Sequence, residues 1–298
     1  MNKLSAVKIT VGVPAYNEEK DIEKVLLAIL GQKGNFKIVN IFVFSDCCSD
    51  RTEEIVREVG RRHRKIVLIS EKKRRGKMVL INKFLSLART DLVIIANADC
   101  LPSKNAIAKL LEKMTIGVGI VGPQGVCILP KKPKLAESIS KMLWDWHHQI
   151  SLDKTKIISF MLANRKAVRQ INTLCPVDEP LIEAEANRRG FETAYAPKAK
   201  LYIKPPTRLA DYISQRRRIH FGYFLMRRYY KNYSPPTMNG KKIIPLFLKQ
   251  FIKTPFIVTS AAFIELWSKI LGWWDFVSGR KNSGIWELAL SSKGLKKC

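Results

Sequence analysis

The chain has 298 residues, 46% of them hydrophobic, a share that excludes a largely disordered protein and supports a sizeable core. Lys and Arg outnumber Asp and Glu by 53 to 25, a formal charge of +28, so anionic partners are expected: nucleic acid, phosphorylated ligands or an anionic membrane face. The six cysteines (Cys47, Cys48, Cys100, Cys127, Cys175, Cys298) show no C-x-x-C pair or zinc spacing and read as reduced cytosolic thiols, and MNKLSAVKITVGVPAYNEE enters a strand pattern without a signal-peptide apolar region.

In chain order, KITVGVP reads as a strand and EKDIEKVLLAIL as a helix, with Ile22, Val25, Leu26, Ile29 and Leu30 at helical spacing. KIVNIFVFS is strand-like and DRTEEIVREVGRRH helical; KIVLIS, KMVLINKFLSLART, DLVIIANADC and SKNAIAKLLEKM continue the alternation. Such alternation predicts an α/β fold, a mostly parallel sheet with helices on both faces. Ligands of these sheets bind outside the carboxyl ends of the strands. Those ends carry the polar turns PAYNEE, SDCCSD, EKKRRGK and NADC.

The second half is less regular. AESISKMLWDWHHQIS predicts a helix with an aromatic face, and VDEPLIEAEANRRGF an acidic helix closed by Gly190. TRLADYISQRRRIHFGYFLMRRYYKN predicts a long basic-aromatic helix capped by Thr207. After SPPTMNGKK the composition turns apolar, dividing the chain into a domain over 1–232 and a helical extension over 233–298. Lys249, Lys253, Glu265 and Lys269 interrupt that extension, and no uninterrupted apolar run reaches the ~18 residues of a spanning helix. Trp267, Trp273 and Trp274 lie among lysines, as in helices that rest in the headgroup layer. The other reading is a helical pair packed on the domain or on a second subunit.

The turns carry the chemistry. In VPAYNEE, Asn17 can cap the following helix, with Glu18 and Glu19 favourable at its dipole. In SDCCSDRT, Asp50 can cap the next helix, whereas Asp46, at the strand end, can accept hydrogen bonds from a base or ribose. EKKRRGK sets Lys72, Lys73, Arg74, Arg75 and Lys77 around Gly76 before a helix, which suits a diphosphate without being a P-loop. Asn97 and Asp99, two apart at a strand end, can ligate a hard cation and its phosphate. In VDEP, Asp178 and Glu179 can serve the helix N-terminus, supply a general base, or both. Gln215 and Arg218 fall on one helix face, while Arg216 and Arg217 point elsewhere, toward phosphate or lipid headgroups.

VPAYNEE, SDCCSDRT, RRGKMVLIN, NADC, VDEPLIEAEANRRGF and QRRRIHFG, in this order from about Ile9 to about Tyr230, resemble the family-2 glycosyltransferases of the GT-A fold. The resemblance implies a nucleotide-diphospho-sugar donor, usually of uridine or guanosine, and Mg²⁺ or Mn²⁺ as cofactor. It implies that Pro14, Tyr16, Asn17 and Glu18 line the nucleotide, that Asp46 holds its base, and that Arg75 and Lys77 lie near the base or phosphates. Asp99 would coordinate the metal beside Asn97, and Gln215 and Arg218 would border the diphosphate and the acceptor. Glu179 matches the usual base of an inverting transfer and Asp178 its acidic neighbour; because the pair reads Asp-Glu where Glu-Asp is commoner, either can be the base. Asn97 brings no charge, which implies weaker metal binding, and Ile219 replaces the tryptophan of processive synthases, which favours transfer of a single sugar. Similar members are membrane-attached and often act on lipid-linked acceptors, placing this chain at the cytoplasmic face of the cell membrane. The closing SGIWELALSSKG is similar to theirs, but its W-x-x-x-x-S-x-K pattern carries no chemical reading of its own.

Two other classes stay open. The charge and the basic-aromatic stretch from Arg216 to Tyr233 fit a nucleic-acid-binding protein, against which stand the missing RRM, KH, helix-turn-helix and zinc patterns and the acids at the strand ends. A non-catalytic nucleotide-sugar-binding scaffold is compatible with Asn97.

Overall fold

The computed structural model describes residues 6–173, 175–230, 234–279, 285 and 289–295. Its strands are β1 (Val7–Ala15), β2 (Phe36–Ser45), β3 (Ile66–Ser70), β4 (Leu92–Ile95), β5 (Cys100–Pro102), β6 (Val118–Cys127), β7 (Met161–Asn164) and β8 (Glu192–Ile203). The helices are α1 (Ile22–Leu30), α2 (Thr52–Arg62), α3 (Lys77–Leu87), α4 (Ala106–Leu111), α5 (Leu135–Asp153), α6 (Asp178–Arg188), α7 (Leu209–Tyr229), α8 (Gly240–Lys253) and α9 (Pro255–Val277).

The strands form one sheet in the order β3-β2-β1-β4-β7-β6-β8-β5. The β3-β2-β1-β4 half is parallel, as the alternation predicts, and β1 and β2 are apolar runs buried between helices. One face of the sheet packs on Ile22, Leu26, Val56 and Ile107 of α1, α2 and α4, the other on Leu80, Phe84, Leu181 and Phe221 of α3, α6 and α7. Beyond β4 the sheet is mixed: β7 runs antiparallel to both β4 and β6, and β6 pairs parallel with β8. Gly125–Cys127 belong to β6.

Two expected caps have different outcomes. Gly190, at φ +79, closes α6 by donating its N–H to the Asn187 carbonyl at 3.0 Å. Thr207 does not cap α7: the helix starts at Leu209, and the Thr207 N–H donates to Ser291 Oγ at 3.1 Å.

The apolar extension is fastened to the sheet domain through α7. Val258, Ala261, Ile264, Ser268, Gly272 and Asp275 form the buried stripe of α9. Arg216 and Arg217, expected to meet phosphate or lipid headgroups, instead hold this helix. Arg216 pairs with Glu265 at 2.7 Å, and Arg217 grips Asp275 through two bonds of 2.6 and 2.5 Å. Tyr212 also donates to Glu265, at 2.8 Å, and His220 is buried against it, a structural role. At Gly272 the two backbones nearly touch; a Cβ there would lie 2.8 Å from the Arg217 carbonyl oxygen. Gly272→Ala is therefore expected to lower the melting temperature by several degrees, although Ala gains about 1 kcal/mol in helix propensity. An unchanged or raised midpoint in thermal unfolding would refute the tight α7–α9 seam.

Candidate active site

Parallel pairing sets Ala15 beside Ser45 and Gly12 beside Ile95, so the carboxyl ends of β1, β2 and β4 open into one cavity of about 840 Å³. Pro14, Tyr16, Glu18, Asp46, Lys77, Asn97, Asp99, Asp178, Glu179, Gln215 and Arg218 line it. Of the expected site residues, Asn17 and Arg75 are not among the lining. Asn17, at φ 52, braces the neighbouring turn: its Oδ1 accepts from the Ser49 N–H at 2.9 Å. The Arg75 guanidinium turns back toward Glu71, 3.9 Å away, and Arg74 takes the inward place, 3.8 Å over the Tyr16 ring. Adjacent residues of an extended loop face opposite ways, so a run of two arginines did not reveal which one enters.

Asp46 is buried, and both its oxygens are occupied, accepting from the Arg75 and Gly76 N–H groups at 2.6 and 3.0 Å. It therefore sets the loop ahead of α3, where Gly76 sits at φ +88, a conformation that glycine adopts without strain. Asp50, expected to cap α2, accepts from the Thr52 N–H at 3.0 Å, but the N-cap is Arg51, so Asp50 braces the turn just ahead of the helix rather than capping it.

Lys77, first in α3, links the two ends of the site. Its Nζ is 2.6 Å from Asn97 Oδ1 and 2.5 Å from Asp178 Oδ2. Burial acts to raise the Asp178 carboxyl, but the Lys77 ammonium overcomes it and holds that group below the ordinary carboxylate range. Glu179 is driven the other way, first by burial and then by the charge of Asp178. Two adjacent carboxyls thus have opposed proton affinities, the pattern that separates a spectator anion from a base.

At the other end of the cavity, beside Asn97, Asp99 stays ionised: burial acts to raise its carboxyl, but Lys293 and Lys77 outweigh it. Burial and the Asp99 charge push Glu18 up to about 8 against the opposing Lys293 ammonium. Lys156, not expected from sequence, also lines the cavity, as does His147 of the aromatic helix α5; burial with the Lys156 charge pushes His147 down to about 3. The apolar wall continues through Trp144, Trp146, Phe247 and Val258 to the C-terminal helices.

A mixed sheet with acids, an amide and a lysine gathered at its parallel strand ends is an α/β architecture with a polar ligand cavity at those ends. Residues 10–170, more than half of the chain, match the family model "Glycosyl transferase family 2", and the chain belongs to that family. It is 30% identical over 107 residues to the probable glycosyltransferase YdaM of Bacillus subtilis, and 35% identical over 99 residues to the dolichyl-phosphate beta-glucosyltransferase ALG5D of Trichomonas vaginalis. Those stretches cover 35% and 31% of this chain but only 26% and 30% of the two relatives. The mannosyltransferase PcManGT of Pyrobaculum calidifontis, solved with GDP-Man and Mn²⁺, shares the fold at a TM-score of 0.60 and 19% identity, over 91% of this chain and 79% of that one. The architecture is the GT-A fold that the sequence implies.

Proposed function

We propose that this chain moves a single sugar from a UDP- or GDP-linked donor to an acceptor hydroxyl, with inversion, and that Glu179 is the base. The observation that carries this reading is the Asn97–Lys77–Asp178 chain of contacts, which ties the donor end of the cavity to the acid pair. The acceptor oxygen bonds to the anomeric carbon as the bond from that carbon to the diphosphate breaks. The electron pair leaves with the nucleoside diphosphate, and the acceptor proton passes to Glu179. Asp178, held ionised by Lys77, keeps the proton affinity of Glu179 high.

The site fits a divalent cation. Among the described residues no three His, Cys, Asp or Glu side chains converge on one point, but Mg²⁺ and Mn²⁺ need only one or two carboxylates when a diphosphate supplies further oxygens. The ionised Asp99 would hold it, with the Asn97 oxygen two residues away. When bound, the ion neutralises charge developing on the diphosphate. Calorimetric titration of UDP and GDP with and without Mn²⁺ tests the reading. Metal-enhanced binding of one nucleotide, weakened about tenfold or more in Asp99→Ala, is expected. Failure of the wild type to bind either would overturn it.

We further propose that residues 1–232 form the catalytic domain, that 233–298 include the membrane-interaction helices, and that the acceptor is lipid-linked, at the cytoplasmic face of the membrane. Helix α9 is long and apolar enough to cross a membrane by length and composition, but its ion pairs bind one face to α7. Phe263, Trp267, Ile270, Trp273 and Trp274 remain exposed on the other, and α8 adds Leu248, Phe251 and Ile252 near Lys249 and Lys253. Such a face supports a helix pair lying in the headgroup layer. Replacing Trp273 and Trp274 together by Ala is expected to cut sedimentation with anionic vesicles at least tenfold and leave the melting temperature within about two degrees, since both rings are half exposed. Unaltered vesicle binding would sink the surface reading.

A further inference from the structure

The short segment at residues 289–295 returns from the apolar helices to the donor end of the cavity and is pinned there at several points. Ser291 Oγ accepts from the Thr207 and Arg208 N–H groups at 3.1 and 3.3 Å, and the Ser291 N–H donates to Asp211 at 2.9 Å. Past Lys293, the Gly294 and Leu295 N–H groups both donate to the buried carboxylate of Asp21, at 2.7 and 2.5 Å, and the Leu295 side chain enters the core of the sheet. Between these anchors the Lys293 ammonium bonds Glu18 Oε1 and lies 3.4 Å from Asp99 Oδ2, with its side chain 8% exposed. The second Glu18 oxygen is buried and has no partner among the described residues. This is an ammonium held within reach of Asp99, the carboxylate proposed to hold a metal–diphosphate complex, beside a buried Glu18 oxygen with no partner among the described residues.

We propose that Lys293 is a diphosphate-binding residue, delivered by the C-terminal tail from outside the segment that matches the family model. The inference rests on the nucleotide-sugar reading of the cavity. Before the donor arrives, the ammonium balances the Asp99 charge and donates to Glu18; when the diphosphate enters, it turns one or more of its three N–H groups to the phosphate oxygens. It then stays with the nucleoside diphosphate as the bond to the anomeric carbon breaks, where fixed positive charge is most effective. The chain thereby offsets its Asn97: one carboxylate fewer for the metal, one ammonium more for the leaving group.

The test compares UDP with UMP (and GDP with GMP) by calorimetry on the full-length wild type, Lys293→Met and Ser291→Ala, in EDTA and again in Mn²⁺. Ser291→Ala loosens the seat of the tail while keeping the lysine, so it serves if Lys293→Met folds poorly. The expected result in EDTA is a fall of about tenfold or more in the diphosphate-to-monophosphate affinity ratio for Lys293→Met, and a smaller fall for Ser291→Ala. An unchanged ratio in both variants, with the wild type binding normally, overturns the role of Lys293 alone. Tighter Mn²⁺-dependent UDP or GDP binding by Lys293→Met also overturns it, since the ammonium would then merely occupy the place of the metal. A wild type that binds none of the four nucleotides overturns the nucleotide-sugar reading itself, and this inference with it.

Discussion

Glu179→Gln is expected to reduce transfer by about 10²–10⁴-fold, the usual contribution of a general base, while donor affinity stays within about twofold. A base acts in the transition state, so kcat and kcat/KM should fall together. The pH profile supplies a second readout. Burial and Asp178 raise the Glu179 carboxyl above its ordinary 4.5, so the wild-type rate should climb with pH along a limb centred above 4.5 as that group loses its proton. Asp178→Asn removes the neighbouring charge, lowers the proton affinity of Glu179 and should move the limb to lower pH. The stability sign also follows. A carboxyl whose folded-state affinity for the proton is raised makes the fold less stable as pH climbs from its unfolded value through its folded one. Gln lacks that penalty, so the variant should melt no lower than wild type at neutral pH, and lost activity cannot then be put down to unfolding. Full activity in Glu179→Gln with none in Asp178→Asn would move the base by one residue.

How much of this was legible depended on where the partners of each residue lie in the chain. Tyr16, Asp46 and Asn97 end strands that a simple strand–helix alternation predicts, and parallel pairing alone then puts them side by side. The outer strands were hidden: β6 and β8 carry Pro123 and Pro197 in their interiors, and β6 slips register at Pro123, so neither shows a clean period. The arginines of α7 were misassigned because their acids, Glu265 and Asp275, lie 49 and 58 residues further on, in a segment read as lipid-facing. Lys293 stood out only as part of a tail pattern, since its partner Glu18 is 275 residues away and nothing in the local sequence says where the tail returns. Local periodicity therefore reports strand ends well, but says little about ion pairs closed by the far end of the chain.

Lys77→Met should give the second largest loss, and for two separable reasons. Its ammonium is the direct counter-charge of the buried Asp178 and at the same time fixes the Asn97 amide. Breaking a fully buried pair costs about 3–5 kcal/mol; here the lysine side chain keeps 31% of its exposure, so the expected destabilisation is nearer ~2 kcal/mol, or several degrees in melting temperature. The catalytic effect should be larger. Without the ammonium, Asp178 is protonated more readily, and Glu179 loses both an opposing cation and, at lower pH, its anionic neighbour. The proton would then be shared between two similar carboxyls, and the single rising limb of the wild-type pH profile should broaden toward two steps. Lys77→Arg retains the charge but replaces one compact ammonium with a planar fork, so it should recover stability more completely than turnover. Equal recovery of both in the arginine variant would show that Lys77 serves the fold alone, and would cut the proposed link between the donor end of the cavity and its base.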